Sequence, residues 1–466
     1  MTAPEDVLAE LRALRAGDLP THGGRTLAYV YDSAVPGLDD LAARAHALAS
    51  SVNGLDPTAF PSLLRLENEV VANAARLLGG TDAAVGTVTS GGTESCLLAV
   101  LAARESRPDA ANPSMVLPAT AHAAFHKAAH YFGVRAVVVP VDPVTFRADP
   151  AAMAAAITDD TVLVVVSAPS YAHGVVDPVA PIAASARSRG VRCHVDACIG
   201  GWVLPHADVE PFDLSVPGVT SLSVDLHKYA YCPKGTSVLL HADADLRRAQ
   251  YFAAADWPGY TMLNTTTQST RSGGPLAAAW AVLRHIGDDG YRDLARRALD
   301  SARVIRDGVG GIAGLRVLGE PESTLLAVTV TRDDFDVFTV ADEMRARNWY
   351  VQPQFAHGRS PANLHLTVTA ANAGSEAELL ADLRDSVAAA VAAGPVVVAP
   401  EVVAALGALD PDSVTPPEFA GLPAAAGLGG DGVLPERMAT VNALLAAAPP
   451  ALRERLLVEF LGVLYS

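Results

Sequence analysis

Lysine occupies only three of the 466 positions, Lys127, Lys228 and Lys234, and the other 31 basic residues are arginine. Arginine therefore serves ordinary surface charge, and a retained lysine is a candidate for chemistry that needs an amine able to lose its proton, such as imine formation with a carbonyl. GC-rich codon usage explains the scarcity of lysine, but not why two of the three fall within seven residues of each other. Lys228 stands in Asp225-Leu226-His227-Lys228-Tyr229, between apolar runs at 221–226 and 237–241. At such a junction of buried strands, desolvation and nearby positive charge can keep the amine neutral. The bland alternative is a lysine whose stem lies along the rim of a sheet.

Three further segments have chemical potential. Thr89-Ser90-Gly91-Gly92-Thr93-Glu94-Ser95 precedes a helical run at 96–104. Its glycines permit close backbone approach, and the free amides of the next helix suit a phosphate. It is neither a Walker loop nor a dinucleotide fingerprint, and it lacks the acidic residue and setting of a serine-protease nucleophile. In His194-Val195-Asp196-Ala197-Cys198, Asp196 should emerge at the carboxyl end of a strand, where open α/β sheets bind ligands. A buried carboxylate there needs a cation such as a protonated pyridine nitrogen, unless it only caps the next helix. His122, in Ala121-His122-Ala123-Ala124-Phe125-His126-Lys127, could stack on a flat ring or donate a proton. Each segment alone has an ordinary structural explanation, but together they supply a phosphate cradle, a ring stacker, a ring-nitrogen carboxylate and an imine-forming lysine.

The elements that must position these groups alternate in type. Apolar runs at 116–117, 136–141, 162–168, 191–196, 221–226 and 237–241 are separated by helical stretches, which predicts βαβ units and a mostly parallel sheet. A helix is expected over 61–78, opened by Pro61 and closed near Gly79. Two more are expected at 274–286 and 291–309, followed by strands at 325–330 and 364–368. The implied division is an N-terminal segment (1–60), a large domain (61–290), a smaller C-terminal α+β domain (291–394), and a Pro/Gly/Ala-rich connection with a helical extension (395–466). The fold class is α/β.

A net charge of -17 repels phosphate backbones and argues against a nucleic-acid partner. The first 20 residues read as an amphipathic helix rather than a signal peptide, and no apolar stretch is long enough for a membrane anchor. Cys96, Cys193, Cys198 and Cys232 have neither CxxC pairing nor framework spacing. They are expected to be reduced, core-packing thiols in a cytoplasmic protein, with no metal site.

The strings TSGGTES, AHAAFHKAAHYFG, SAPSYAHGVVDPV, HVDACIGGW and SVDLHKYAYCPKG make the chain similar to the group II pyridoxal phosphate decarboxylases, and within them to the sphingosine-1-phosphate lyase branch, over roughly residues 50–370. The resemblance implies the PLP-dependent transferase fold (fold type I) and a homodimer with shared active sites. It implies Lys228 as the imine lysine, Asp196 as partner of the pyridine nitrogen, His122 stacked on the ring and Cys198 on its other face. Gly92, Thr93 and His227 become phosphate ligands, with Lys228 or His227 shuttling protons. Thr270 falls where the family has a serine that reaches the neighbouring subunit's phosphate. Tyr31 matches a substrate-phosphate tyrosine, and Lys234 a lysine near the substrate. Asp56 replaces a histidine that helps hold the substrate phosphate, and a carboxylate there would repel it. The expected substrate is a small-molecule amine or amino acid. It is cleaved at the amine-bearing carbon by retro-aldol release of an aldehyde or, alternatively, by decarboxylation, with aminotransfer a weaker third reading.

Overall fold

The structure, a computed structural model, describes residues 1–413, 415 and 436–465. Its main sheet holds β1 (Val85–Thr89), β2 (Ser114–Pro118), β3 (Arg135–Val139), β4 (Thr161–Ser167), β5 (Arg192–Asp196), β6 (Ser221–Asp225) and β7 (Ser237–His241), in the order β1-β7-β6-β5-β4-β2-β3. Strand β7 runs antiparallel to both β1 and β6, and the remaining pairings are parallel. The carboxyl ends of β1, β4, β5 and β6 therefore share one edge.

Every residue of β4 is buried, as a strand covered on both faces requires. Val164 and Val166 enter the core formed with helices Pro61–Leu77, Val179–Ser188 and the start of Gly273–Gly310, whereas Leu163 and Val165 face helices Gly92–Glu105 and Ala123–Phe132. Expected and observed strands agree within one residue for β4 to β7. Strand β1 was not anticipated, because Val-Gly-Thr-Val-Thr offers little apolar signal. Its place is set by close pairing: a Cβ on Gly86 would lie 2.8 Å from the Leu239 carbonyl oxygen.

A short hairpin, β8 (Phe252–Ala254) and β9 (Met262–Asn264), leads into the helix Gly273–Gly310. The two helices expected there meet at Gly287, whose φ of 64° and ψ of 175° break the helical path. This break lies close to residue 290, where the large and small domains are expected to divide. Strands β10 (Leu315–Val317), β11 (Leu325–Val330), β12 (Gln352–Gln354) and β13 (Asn363–Thr367) form an antiparallel sheet in the order β10-β11-β13-β12. Gly174 joins the two sheets at φ +71°. A Cβ there would come within 2.2 Å of the Leu325 carbonyl oxygen, so only glycine fits.

The stretch expected to be a loose connection begins instead with a helix, Pro400–Ala408, and most of the rest, 416–434, lies outside the described residues. Helix Ala439–Ala447 returns to the small domain, where the Asp342 carboxylate accepts the Met438 and Ala439 amides at 2.8 and 2.9 Å. Among the described residues no helix is long and apolar enough to cross a membrane.

Burial leaves four imidazoles hard to protonate. It pushes His173, His194 and His241 down to about 4 and His365 to about 3. His194 sits fully enclosed, with Ser221 and Ser223 hydroxyls at 2.9 and 3.1 Å from its two ring nitrogens. In the unfolded chain these groups titrate near about 6.5. The unfolded chain thus gains protons first on acidification, and stability present above that pH is lost as the pH falls toward 4. Asp177, raised to about 6 by burial, acts in the opposite sense but is a single group. The thermal midpoint should therefore fall steadily from about pH 6.5 to about pH 4.5, as read by circular dichroism.

Candidate active site

The shared strand edge opens into a cavity of about 380 Å³ lined by Gly92, Thr93, His122, Asp196, Cys198, His227 and Lys228 among others. Helix Gly92–Glu105 starts directly after β1 with no side-chain cap, leaving its first amides available to an anion. Gly92 admits no side chain, since a Cβ would lie 2.7 Å from Asp225 Oδ1 and 2.8 Å from Cys198 Sγ. The sheet supplies a carboxylate to the same cavity. Asp196, the last residue of β5 and only 8% exposed, accepts the Cys198 amide at 3.1 Å and the Ser223 hydroxyl at 3.5 Å on Oδ1.

His122 precedes helix Ala123–Phe132, and its Nδ1 accepts the Ala124 amide at 3.2 Å, which fixes the ring at the cavity wall. Tyr171 meets it edge-on, with ring centroids 6.5 Å apart, and stacks on His365 of β13 at 4.2 Å. The Tyr171 hydroxyl donates to Gln352 in β12 at 2.7 Å, so the small sheet helps hold this wall. Tyr171 lay inside a motif read from the sequence but was not singled out, and its stacking partner is distant in sequence.

Lys228 follows β6, and its Nζ lies 2.8 Å from Asp225 Oδ2. His227 Nε2 is 3.6 Å from the same oxygen. The expectation of a neutral amine is corrected here. Burial alone would lower it, but the adjacent Asp225 charge holds it well above the ordinary lysine value. Asp225 was missed, although it stands three residues before Lys228 in the same motif.

Tyr31 does not line the cavity but is close enough to feel the Lys228 charge: burial pushes its hydroxyl up to about 12 against that pull, and its ring packs edge-on to Tyr229 at 5.2 Å. Lys234 Nζ lies 5.1 Å from the Tyr31 ring centre and donates to the Tyr29 carbonyl at 3.0 Å, tying the N-terminal segment to the β6–β7 connection. Cys96 was expected only to pack the core, yet it also lines the cavity. Its thiol, the Cys198 thiol and the Asp196 carboxylate lie within 4.8 Å of one another.

Two expected residues lie elsewhere. Asp56 is exposed and engaged in its own turn, accepting the Thr58 amide at 2.8 Å and hydroxyl at 2.6 Å, and it does not line the cavity. Thr270 is exposed on the loop after β9. That loop is anchored twice. Arg271 pairs with Glu67 at 2.9 Å and donates to the Val88 carbonyl at 2.6 Å, and Glu94 accepts the Thr267 amide at 3.0 Å and the Ser90 amide at 2.7 Å. Burial raises the Glu94 carboxyl, but these hydrogen bonds outweigh it and hold the group below the usual range.

A mostly parallel sheet, with a lysine, an aspartate and an uncapped helix start converging on one edge, defines a fold type I pyridoxal phosphate enzyme. Residues 28–329 match the pyridoxal-dependent decarboxylase conserved domain, and residues 400–463 match a "Pyridoxal-dependent enzyme, C-terminal putative HTH domain". The chain is 38% identical to sphingosine-1-phosphate lyase of Dictyostelium discoideum over 82% of this chain and 72% of that protein. It is 35% identical to sphingosine-1-phosphate lyase 1 of Rattus norvegicus over 82% and 68%. The solved sphingosine-1-phosphate lyase of Burkholderia pseudomallei superposes with a TM-score of 0.79 at 38% identity, covering 84% of this chain and 92% of that one. Glutamate decarboxylase of Lactobacillus brevis, at 20% identity and a TM-score of 0.75, shares the fold. The chain belongs to the pyridoxal-dependent decarboxylase family, and it is a pyridoxal-phosphate-dependent lyase.

The residues present fit that cofactor. The cavity is lined by an uncapped helix start and by a buried carboxylate, and Asp225 Oδ1 and His227 Nδ1 are buried without hydrogen-bond partners. Such orphaned polar atoms await a ligand. Glu94→Ala should free the Thr270 loop from the glycine turn. With charge-assisted bonds each worth about 1.5–3 kcal/mol, amide exchange at 265–270 should quicken by at least about ten-fold, while exchange in β4 to β6 stays unchanged by mass spectrometry.

Proposed function

We propose that the chain cleaves the carbon–carbon bond beside the amine-bearing carbon of a phosphorylated sphingoid base, releasing a long-chain aldehyde and an amino-alcohol phosphate. The observation that carries this reading is the convergence of Lys228, Asp196 and the Gly92 helix start on one cavity, in a chain more than a third identical to sphingosine-1-phosphate lyases. Bound pyridoxal phosphate supplies an electron-accepting ring that takes up the electron pair of the breaking bond.

The chain's own residues do the rest. The first amides of helix Gly92–Glu105, with Thr93 and His227, hold the cofactor phosphate, and His122 and Cys198 bracket the ring. Asp196 keeps the proton on the ring nitrogen, which a buried carboxylate does by pairing with it. Lys228 would hold the cofactor, and its amine, together with His227, would move protons to and from the substrate. Tyr31 and Lys234 receive the substrate phosphate. Asp56, engaged with Thr58 away from the cavity lining, does not set its charge against that phosphate.

The active form is a homodimer in the cytoplasm. Phe252, Trp257, Tyr260 and Leu263 are exposed on and around the β8–β9 hairpin, beside the loop carrying Thr270, and an apolar patch of this kind suits a second copy. Thr270 then reaches the partner's cofactor phosphate. All four cysteines are free and buried, which suits a reducing compartment.

The purified chain should show an imine absorption band that borohydride removes and that Lys228→Ala abolishes. Asp196→Ala should lower turnover by roughly 10²–10³-fold. Phosphorylated sphingoid bases should yield aldehyde, detected as its hydrazone. Carbon dioxide released from amino acids, with no aldehyde from the sphingoid bases, would move the assignment to amino-acid decarboxylation.

A further inference from the structure

Lys228 can attach to a carbonyl carbon only as a neutral amine, yet its nitrogen is in an ion pair. The partner, Asp225, is 2% exposed, with Oδ2 contacting Lys228 at 2.8 Å and His227 at 3.6 Å, and Oδ1 unpartnered. The carboxylate is wedged against Gly92, where even a Cβ would lie within 2.8 Å of both its oxygens. It has little freedom to swing aside.

The other titratable groups facing Lys228 come from four elements. Tyr31 of the N-terminal segment is raised to about 12 by burial, and Tyr171 after β4 is raised too, so both hydroxyls stay protonated. Cys198 after β5 is raised well above the usual thiol value by its contact with Cys96 and by burial. In the β6–β7 connection, burial lowers His227 and Lys234, and Lys234 adds a positive charge that opposes the Lys228 ammonium. Asp225 is the base in hydrogen-bond contact with the amine.

We propose that Asp225 is the proton acceptor that lets Lys228 load the cofactor. One proton passes from the ammonium to Asp225 Oδ2, the neutral amine bonds to the aldehyde carbon, and the carbonyl oxygen leaves as water with the other two amine protons. When the cofactor is transferred back to Lys228 at the end of a turnover, the same internal transfer is available. This rests on Lys228 being the attachment residue.

The consequence is a distinctive pH dependence. The ion pair and its neutral form, amine plus carboxylic acid, contain the same number of protons, so internal transfer makes attachment independent of pH. Loss of the proton to water would instead make the rate climb about ten-fold per pH unit up to the lysine pKa.

The test uses the full chain stripped of cofactor with hydroxylamine and mixed with saturating pyridoxal 5′-phosphate, the growth of the imine band being timed from about pH 7 to about pH 9, above the phosphate's second ionisation near about 6. The wild-type rate should be flat. Asp225→Asn should lose the flat profile, its rate climbing about ten-fold per pH unit up to a lysine pKa that burial, no longer opposed by the carboxylate, holds lower, and Asp225→Glu should restore the flat profile. A wild-type rate that itself climbs ten-fold per unit, or a flat Asp225→Asn profile, overturns the proposal. If Asp225→Asn does not fold, the wild-type profile decides alone. Absence of any band in the wild type, or a band that survives Lys228→Ala, would instead refute the attachment site.

Discussion

The register of the parallel strands is the constraint on which the site depends. Ser167 pairs with Asp196, and Asp196 with Ser223, so β4 and β5 end level while β6 runs on to Asp225. Backbone hydrogen bonding thus fixes the spacing between the Asp196 carboxylate and the segment that carries Asp225 and Lys228. A slip of one residue in β5 would turn Asp196 to the other face of the sheet. Strand β7, running backwards between β6 and β1, keeps β1 pointing the same way as β6 and so delivers the Gly92 helix start to the same edge.

Much of this layout was legible because the buried strands are short runs of valine and leucine punctuated by glycine, and those runs mark β4 to β7 to within a residue. Two of the cofactor-side groups were legible for a related reason: Asp196 closes one such run and Lys228 stands just beyond another, whereas Gly92 was legible from the glycine turn that precedes a helical run. What stayed hidden depends on contacts between distant segments. Strand β1 has almost no apolar signature and exists because β7 pairs with it. The charge on Lys228 was misjudged because its environment was read as desolvation plus positive charge, while the decisive carboxylate, Asp225, was taken as part of a motif. Asp56 was placed near the substrate by alignment alone, and its own turn satisfies it.

The small domain and the N-terminal segment complete the wall that the main sheet leaves open. Tyr171 is fixed by Gln352 and His365, and the Tyr229 hydroxyl donates to the Val368 carbonyl at 2.6 Å, so the chain on either side of the cavity is pinned to the small sheet. Lys234 binds the backbone at Tyr29, bringing Tyr31 over the same region. The N-terminal segment, the main sheet and the small domain therefore converge around one cavity.

Glu94 gives the cofactor cradle and the hairpin loop a common anchor, because one carboxylate oxygen holds Ser90 and the other holds Thr267. Order imposed on either side of that carboxylate is thereby shared with the other. If shielding the exposed aromatic hairpin orders this anchor, thermodynamic reciprocity requires that it strengthen retention of a phosphate at the cradle by the same free energy that the phosphate lends to the shielding.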